Sequence, residues 1–209
     1  MEESQAEAVP FLSHKPMGYI NIIEIKARCP DPHAIRAILR ARNADFRGVD
    51  QQIDTYFRVN RGRLKLREGQ IENSLVYYER EDQAGPKQSE VMLFPSAPGS
   101  ALKEILIRSL RILVIVEKQR EIYFIDNVKF HIDMVKGLGS FVEIEAIDAD
   151  GALGKDKLLA QCQGFLNLFE IAPENLVAVS YSDLLLSGLR NSDNPNATAH
   201  TTADTTKTS

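Results

Sequence analysis

Charged and apolar residues alternate at a period of two in several segments, a pattern that predicts β-strands with one charged and one apolar face. Glu143-Ile-Glu145 places two carboxylates on one face, and Lys118 and Arg120 share a face in another segment. Three further segments repeat the pattern, and their charged faces carry Glu24, Lys26 and Arg28; Arg63, Lys65 and Arg67; and Lys129, His131 and Asp133. Together these segments predict a sheet with one apolar face and one face that is dense in both charges.

The order of strand and helix patterns predicts the class of fold. Strand patterns occupy residues 19–28, 51–59, 64–68, 75–81, 89–94, 112–120, 122–125, 129–135 and 141–147, and helical patterns occupy 31–42, 102–110 and 153–169, before a short closing element at 177–186. Asp31 is placed to cap the first helix, and Ile105 is predicted on the buried side of the second. Because most strands are joined by hairpin-length links, we predict an α+β fold with an antiparallel sheet. A sheet of this size is expected to close into a barrel with its charges in the lumen and helices against its apolar exterior.

Composition and the two ends of the chain indicate which partners, compartment and domain limits to expect. A net charge of −4 and a pI near 5.6 argue against a general nucleic-acid binder. Cys29 and Cys162 lie far apart and match no metal-binding spacing, which fits a reducing compartment. Without an apolar run of membrane-spanning length or a signal-peptide pattern, a cytoplasmic protein with no membrane partner is expected. Low apolar content predicts a disordered lead at 1–17 and a disordered tail at 189–209, around one domain at 18–188.

The charged lumen implies a ligand, because an unpaired buried charge is strongly unfavourable. Basic residues outnumber acidic ones on the predicted charged faces, so the ligand is expected to be multiply anionic. The carboxylates supply oxygen ligands that suit a hard divalent cation such as Mg²⁺ or Mn²⁺. Cations for phosphate oxygens, with carboxylates for a bridging metal, are the recurring equipment of phosphoryl chemistry. Two alternatives stay open at this point: an interior ion-pair network, and the solvated outer face of an ordinary sheet.

Five motifs follow one another along the chain in an informative order. They are Glu24-Ile-Lys26, Gln52-Ile-Asp54-Thr-Tyr-Phe, Leu64-Lys-Leu-Arg67-Glu, Lys118-Gln-Arg120-Glu-Ile-Tyr123, and the segment from Asp133 through Gly137-Leu-Gly139 to Glu143-Ile-Glu145. In this order they resemble the motifs of the CYTH family, the triphosphate tunnel metalloenzymes. Within that family the chain is most similar to the class IV adenylyl cyclase branch. The resemblance runs from about residue 20 to residue 186.

The resemblance implies a closed tunnel of eight antiparallel strands that binds a triphosphate with Mg²⁺ or Mn²⁺. By position, it implies metal ligands at Glu24, Asp133, Glu143 and Glu145. Phosphate-binding side chains are expected at Lys26, Lys65, Arg67, Arg80, Lys118, Arg120 and His131, with weaker candidates at Arg58 and Arg63. The chain departs from the family's Glu-x-Glu-x-Lys signature at the first position, which is Ile22 here, so one carboxylate of the first strand is missing.

Two of these residues have more than one interpretation. Lys26 is a candidate catalytic residue, because neighbouring cations can lower its pKa enough for it to orient or deprotonate a nucleophile. Its alternative role is a plain phosphate clamp. His131 is either a general base or a phosphate donor, since a histidine side chain titrates near neutrality.

Three functions are compatible with the sequence. We favour a metal-dependent phosphohydrolase acting on an inorganic, thiamine or nucleoside triphosphate, because of the carboxylate lost at Ile22. The first alternative is a class IV-type adenylyl cyclase that converts ATP to cyclic AMP and pyrophosphate. The second is a non-catalytic triphosphate- or polyphosphate-binding module. Both reactions need the same electrostatic cradle and differ in which phosphorus faces the nucleophile. The sequence leaves open the group attached to the phosphates and whether the chain forms a homodimer.

Overall fold

The computed structural model describes residues 19–192, and the predicted lead at 1–17 lies outside them. The strands in that range are β1 (Tyr19–Arg28), β2 (Asp45–Phe57), β3 (Arg63–Glu68), β4 (Ser74–Arg80), β5 (Lys87–Pro95), β6 (Ile112–Ile125), β7 (Val128–Val135) and β8 (Gly139–Asp148). The α-helices are α1 (Pro32–Ala41), α2 (Leu102–Ser109), α3 (Lys155–Leu168) and α4 (Tyr181–Ser192), and a short 3₁₀ turn covers Pro173–Asn175.

The eight strands form a closed barrel in the order β1-β5-β4-β3-β2-β6-β7-β8, and every neighbouring pair is antiparallel. The predicted α+β class and the closed antiparallel β-tunnel flanked by helices are therefore confirmed. Closure leaves no strand edge unpaired, and the period of two then sends alternate side chains into the lumen and onto the outside.

The apolar positions of the strands form the outer core, between the barrel and its helices. On β1, the side chains of Ile23, Ile25 and Ala27 are buried in a cluster with α1 and α3, which contribute Leu39 and Cys162 among others. A smaller cluster lies under α2, where Leu106 packs near Phe57 and Leu66. Burial of these outward-facing residues stabilises the barrel and leaves its interior free for polar side chains.

Several predicted boundaries were wrong. Residues 112–120 and 122–125 form the single strand β6, because Glu121 pairs with Val49 on one side and Ile132 on the other. β2 begins at Asp45, six residues before the predicted start; Gly48, with φ of 124°, lies at a bulge that hides the alternation. Ile105 is 56% exposed, since Leu106 is the buried position of α2.

The closing element at residues 177–186 becomes α4, which continues to Ser192, beyond the predicted end of the domain at residue 188. The rest of the predicted tail lies outside the described residues. None of the helices in residues 19–192 has the length and apolar character that a membrane crossing requires.

Replacing Asp31 by alanine should lower the free energy of unfolding by about 1 kcal/mol. The predicted cap is confirmed, because the Asp31 carboxylate accepts hydrogen bonds from the backbone N–H groups of His33 at 2.9 Å and Ala34 at 3.2 Å. Urea unfolding measures the effect. Asp31→Asn keeps a capping oxygen and serves as the control, so an equal loss in both variants would exclude capping as the cause.

Candidate active site

A cavity of about 420 Å³ occupies the inside of the barrel. Seven basic and five acidic side chains line it: Lys26, Lys65, Arg67, Arg80, Lys118, Arg120 and Lys129, and Glu24, Asp54, Glu72, Glu143 and Glu145. The charged faces of the strands thus point inward, as predicted, and the alternative of a solvated outer face is excluded. The interior ion-pair network, which was the other alternative, is present within the same lumen.

Asp54 on β2 lies at the centre of the largest basic cluster. Its carboxylate accepts hydrogen bonds from Lys65 Nζ at 2.9 Å and from Lys118 Nζ at 2.7 Å. Arg67 donates to both carboxylate oxygens, from Nε at 2.9 Å and from Nη2 at 3.0 Å. Burial alone would raise the pKa of Asp54, but the three cations outweigh it and hold that pKa well below its usual range. Three basic groups therefore share one carboxylate, which leaves positive charge available to an incoming anion.

Glu143 on β8 is the centre of a second cluster. Lys26 Nζ donates to its Oε1, and Arg120 Nη2 donates to its Oε2 at 2.7 Å. His131 Nδ1 lies 3.1 Å from the same Oε2. Burial lowers the pKa of Lys26 well below its ordinary value, and burial together with nearby cations does the same to the pKa of His131. The imidazole is therefore neutral at pH 7.

Asp133 and His131 lie behind the wall of the cavity rather than on it. Arg120 donates to Asp133 through Nε at 2.7 Å and through Nη2 at 2.6 Å, and the Tyr181 hydroxyl donates to the same carboxylate at 2.8 Å. With both oxygens engaged, Asp133 holds the Arg120 fork in place. The structure does not bring Asp133 to the surface of the cavity, although the family resemblance implied that it is a metal ligand.

Carboxylates of β1 and β8 meet at one side of the lumen. Glu24 is the direct cross-strand partner of Glu145. Ligand atoms of His131, Glu143 and Glu145 lie within 4.8 Å of one another. Glu145 is the least engaged of the acids, because within residues 19–192 it forms no ion pair shorter than its 3.5 Å contact with His131 Nδ1. Carboxylate oxygens in such a group are the donors that a hard divalent cation prefers.

A family model for the CYTH domain matches residues 21–181, which include all eight strands apart from the first two residues of β1. The chain belongs to the CYTH domain family. Over 69 residues, or 33% of its length, this CYTH domain is 36% identical to Putative adenylate cyclase MJ0240 of Methanocaldococcus jannaschii. The matched segment spans 39% of that relative.

Two solved structures show the same fold as this CYTH domain. The PH1012 protein from Pyrococcus horikoshii is 22% identical, with a TM-score of 0.68 over 78% of this chain and 98% of that one. HpAC1 from Hippeastrum, called a putative adenylyl cyclase with a dominant triphosphatase activity, is 16% identical, with a TM-score of 0.53 over 80% of this chain and 96% of that one. At these identities the likeness establishes the architecture.

Sequence reasoning missed two acids of this CYTH domain. Asp54 lies within the motif that begins at Gln52, but nothing in that motif shows that three cations converge on its carboxylate. Glu72 lies in the loop between β3 and β4, outside any periodic segment, and it accepts hydrogen bonds from Lys129 and from Arg67 Nη1, the latter at 2.8 Å. The loop is fixed because the buried Asp50 carboxylate accepts hydrogen bonds from three of its backbone N–H groups, at residues 70–72.

Three predicted cations do not line the cavity. Arg28, which shares the face of Glu24 and Lys26, is exposed and donates to the Leu138 carbonyl at 3.3 Å. Arg63 donates to Asp82 and Asp183 outside the cavity, and Arg58 is exposed. Of the seven expected phosphate-binding side chains, the structure brings six into one cavity, and His131 is the exception.

Proposed function

We propose that this CYTH domain is a metal-dependent phosphohydrolase that cleaves a triphosphate. One observation carries the proposal: cations and carboxylates line one cavity, and two of its carboxylates lie on the wall opposite two of its cations. Glu143 and Glu145 lie on β8, and Lys65 and Arg67 lie on β3, which is half-way round the barrel. A chain of phosphates placed between the walls would meet cations on one side and a metal ion on the other. This is the arrangement that phosphoryl transfer needs.

The carboxylates of Glu143 and Glu145 fit a Mg²⁺ or Mn²⁺ ion, because their oxygens and a nitrogen of His131 lie within 4.8 Å of one another. Glu24, the cross-strand neighbour of Glu145, would have to give up its ion pair with Arg80 to join them. A bound ion would supply charge neutralisation at the phosphate oxygens and polarise the phosphorus under attack. Glu145 can turn toward an ion without giving up a strong ion pair. Glu143 would exchange part of its contact with Lys26 and Arg120. With isoleucine at position 22, β1 contributes a single carboxylate to this set.

The basic wall would hold the phosphates. Arg67 and Arg120 carry planar guanidinium groups that suit phosphate oxygens and stay charged in any surroundings. Asp54 and Asp133 already hold one edge of each, so phosphate oxygens would share these groups with the carboxylates. Lys26 lines the same cavity, where its Nζ lies 3.7 Å from the centre of the Tyr181 ring and is bonded to Glu143, and it would orient a water molecule. That water would attack the terminal phosphorus, and the bond to the bridging oxygen would break. The products are orthophosphate and the diphosphate that leaves.

The adenylyl cyclase reaction is the main competitor. It would use the same cradle, with the ribose 3′-hydroxyl attacking the α-phosphorus in place of water. The relative with the putative adenylate cyclase name supports it, whereas the dominant triphosphatase activity named for HpAC1 supports hydrolysis on the same fold. Hydrolysis requires less positioning by the site than cyclisation does, because a water molecule replaces the ribose hydroxyl as the nucleophile and no ribose has to be held in place.

A panel of substrates tests the proposal. Purified protein is incubated with tripolyphosphate, ATP and thiamine triphosphate in Mg²⁺ or Mn²⁺, with a chelator as the control. Orthophosphate release that the chelator stops is the expected result. Cyclic AMP with pyrophosphate would identify the cyclase reaction instead, and tight binding with no product would identify a binding module.

Triphosphate binding should take up a proton above pH 7. Burial lowers the pKa of Lys118 to about 7, even though Asp54 beside it opposes the shift. Lys118 is therefore neutral in the free protein at pH 8, while phosphate oxygens favour its charged form. The contribution of Lys118 to affinity should then fall by up to about tenfold per pH unit from pH 7 to 9.

Calorimetry in buffers of different ionisation enthalpy counts the protons taken up. Lys118→Arg keeps the charge and removes this titration, so the uptake at pH 8.5 should decrease by close to one proton. The difference between the two proteins cancels the titration of the triphosphate and of the other lysines. Equal uptake in both proteins would contradict the assignment.

A further inference from the structure

The loop between β3 and β4 places a carboxylate across one end of the lumen. Glu72 accepts hydrogen bonds from Lys129 on β7, from Arg67 Nη1 on β3 at 2.8 Å and from Gln52 Nε2 on β2 at 3.0 Å. The strands of its two cations are not neighbours, because β2 and β6 lie between them in the barrel. The other four acids that line the cavity in the described part of the chain belong to strands, whereas Glu72 enters from the end of the barrel.

The loop is held so that Glu72 has little freedom to turn away. The buried Asp50 carboxylate accepts hydrogen bonds from the backbone N–H groups of residues 70–72, at distances of 2.6 to 3.0 Å. The Asn73 side chain closes the loop, since it accepts from the Gly69 N–H at 3.2 Å and donates to the Gly69 carbonyl at 2.7 Å. Glu72 is therefore a fixed part of the cavity wall.

The end of the cavity at this loop reaches solvent. Ile71, next to Glu72, is 44% exposed and Leu93 is 48% exposed, although both line the cavity. They lie at the same end, because the first residues of β4 pair with the last residues of β5. At the other end, Tyr181 at the start of α4 lines the cavity and packs against Phe141. A phosphate chain that is too long for the cavity would consequently extend toward the loop.

The charge of Glu72 opposes a further phosphate at this end. Burial alone would raise the pKa of Glu72, but Arg67 and Lys129 outweigh it and hold that pKa below its usual range. An additional phosphate would bring its negative charge against this carboxylate, and like charges brought together in this way are strongly unfavourable. It would also meet two cations that Glu72 already binds.

We infer that Glu72 limits the length of the phosphate chain, so that the site selects a triphosphate over longer linear polyphosphates. The inference rests on the proposed function, because it takes the lumen as the phosphate-binding site. Glu72 acts by exclusion: it repels the additional phosphate and keeps Arg67 and Lys129 from binding it. The residue is a determinant of specificity and takes no part in bond cleavage.

Calorimetry in the presence of a chelator tests the inference with tripolyphosphate and tetrapolyphosphate. The wild-type protein should bind the two within about threefold of each other, because the fourth phosphate gains no free cation. Glu72→Gln should bind tetrapolyphosphate about tenfold or more tightly than tripolyphosphate, since Lys129 and one edge of Arg67 become available to phosphate oxygens.

Two further variants show whether the gain comes from this contact. Glu68→Gln is the matched control, because Glu68 ends β3 beside the loop but pairs with Lys103 of α2 outside the cavity, at 2.6 Å. It removes the same charge and should keep the wild-type ratio of the two affinities. Lys129→Gln should change the wild-type ratio little and should remove most of the gain in the Glu72→Gln background.

The outcomes separate this inference from the proposed function. Tighter binding of tetrapolyphosphate than of tripolyphosphate by the wild type, beyond the expected margin, would overturn the inference, and this comparison needs no variant. The wild-type ratio in a Glu72→Gln protein that binds tripolyphosphate, or an equal gain in Glu68→Gln, would also overturn it. All three results leave the phosphohydrolase intact. If the wild-type protein bound neither polyphosphate, with or without Mg²⁺, both would be overturned.

Discussion

Replacing Asp54 by alanine should destabilise the free protein by about 3–5 kcal/mol, the usual effect of removing one partner from a buried ion-pair network. Asp54 is 1% exposed and neutralises Lys65, Arg67 and Lys118 together. Without it, the buried basic groups of β3 and β6 would lose the carboxylate that lies between them on β2. The melting temperature should fall by roughly 10 °C for a chain of this size.

Tripolyphosphate should restore much of the lost stability. A polyanion takes the place of the missing carboxylate, so the stabilisation that it gives at saturation should be larger for Asp54→Ala than for the wild type. Asp45→Ala is the matched control on the same strand, because Asp45 forms an exposed ion pair with Arg47 that contributes little. A loss below 1 kcal/mol in Asp54→Ala, or an equal response to the polyanion in both proteins, would show that Asp54 does not organise the basic wall.

Replacing Glu145 by glutamine should reduce metal-dependent turnover by about 100-fold or more, because even the residues that support metal ligands are commonly worth 10- to 100-fold. Glu145 is a cleaner target than Glu143. Glu143 also holds Lys26 and Arg120, so its replacement would disturb the phosphate-binding residues as well. Glu145 has no comparable partner in the described part of the chain.

Two further readouts separate loss of a ligand from loss of the fold. Metal titration by calorimetry should show weaker binding to Glu145→Gln, whereas tripolyphosphate binding in a chelator should be unchanged or tighter, since an acid has been removed from the lumen. Glu117→Gln, on the outside of β6, should behave as wild type because Glu117 pairs with Lys136 at the surface. Wild-type turnover in Glu145→Gln would remove this residue from the metal site.

The fold could be predicted because the barrel has opposite chemistry on its two faces. In β1 the residues Ile23, Ile25 and Ala27 face outward into the helix-covered core, while Glu24 and Lys26 face inward, so the period of two is visible in the sequence. The alternation of apolar and charged residues disappears where the two faces of a strand have similar surroundings. The first half of β2 is such a case, with a glycine at its bulge and exposed residues on its outer face.

The individual roles in the site could not be predicted, because they depend on which strands become neighbours or face each other. A period of two places both Asp54 and Asp133 on lumen-facing positions. It does not show that Asp54 binds three cations, or that Arg120 and Tyr181 separate Asp133 from the cavity. Glu72 belongs to a loop, and its position depends on the hydrogen bonds that Asp50 accepts from the adjoining backbone. In the sequence, Ile22 is only a missing carboxylate of the family signature. The strand register shows in addition that it lies directly beside Ile147.

The most direct test of the central claim is a ³¹P NMR time course of the wild-type protein with ATP and Mg²⁺ in ¹⁸O-labelled water. The account predicts that orthophosphate and ADP appear together and that the label enters the orthophosphate, because water attacks the terminal phosphorus within the tunnel. Label-free pyrophosphate with cyclic AMP, or spectra that do not change with time, would contradict it.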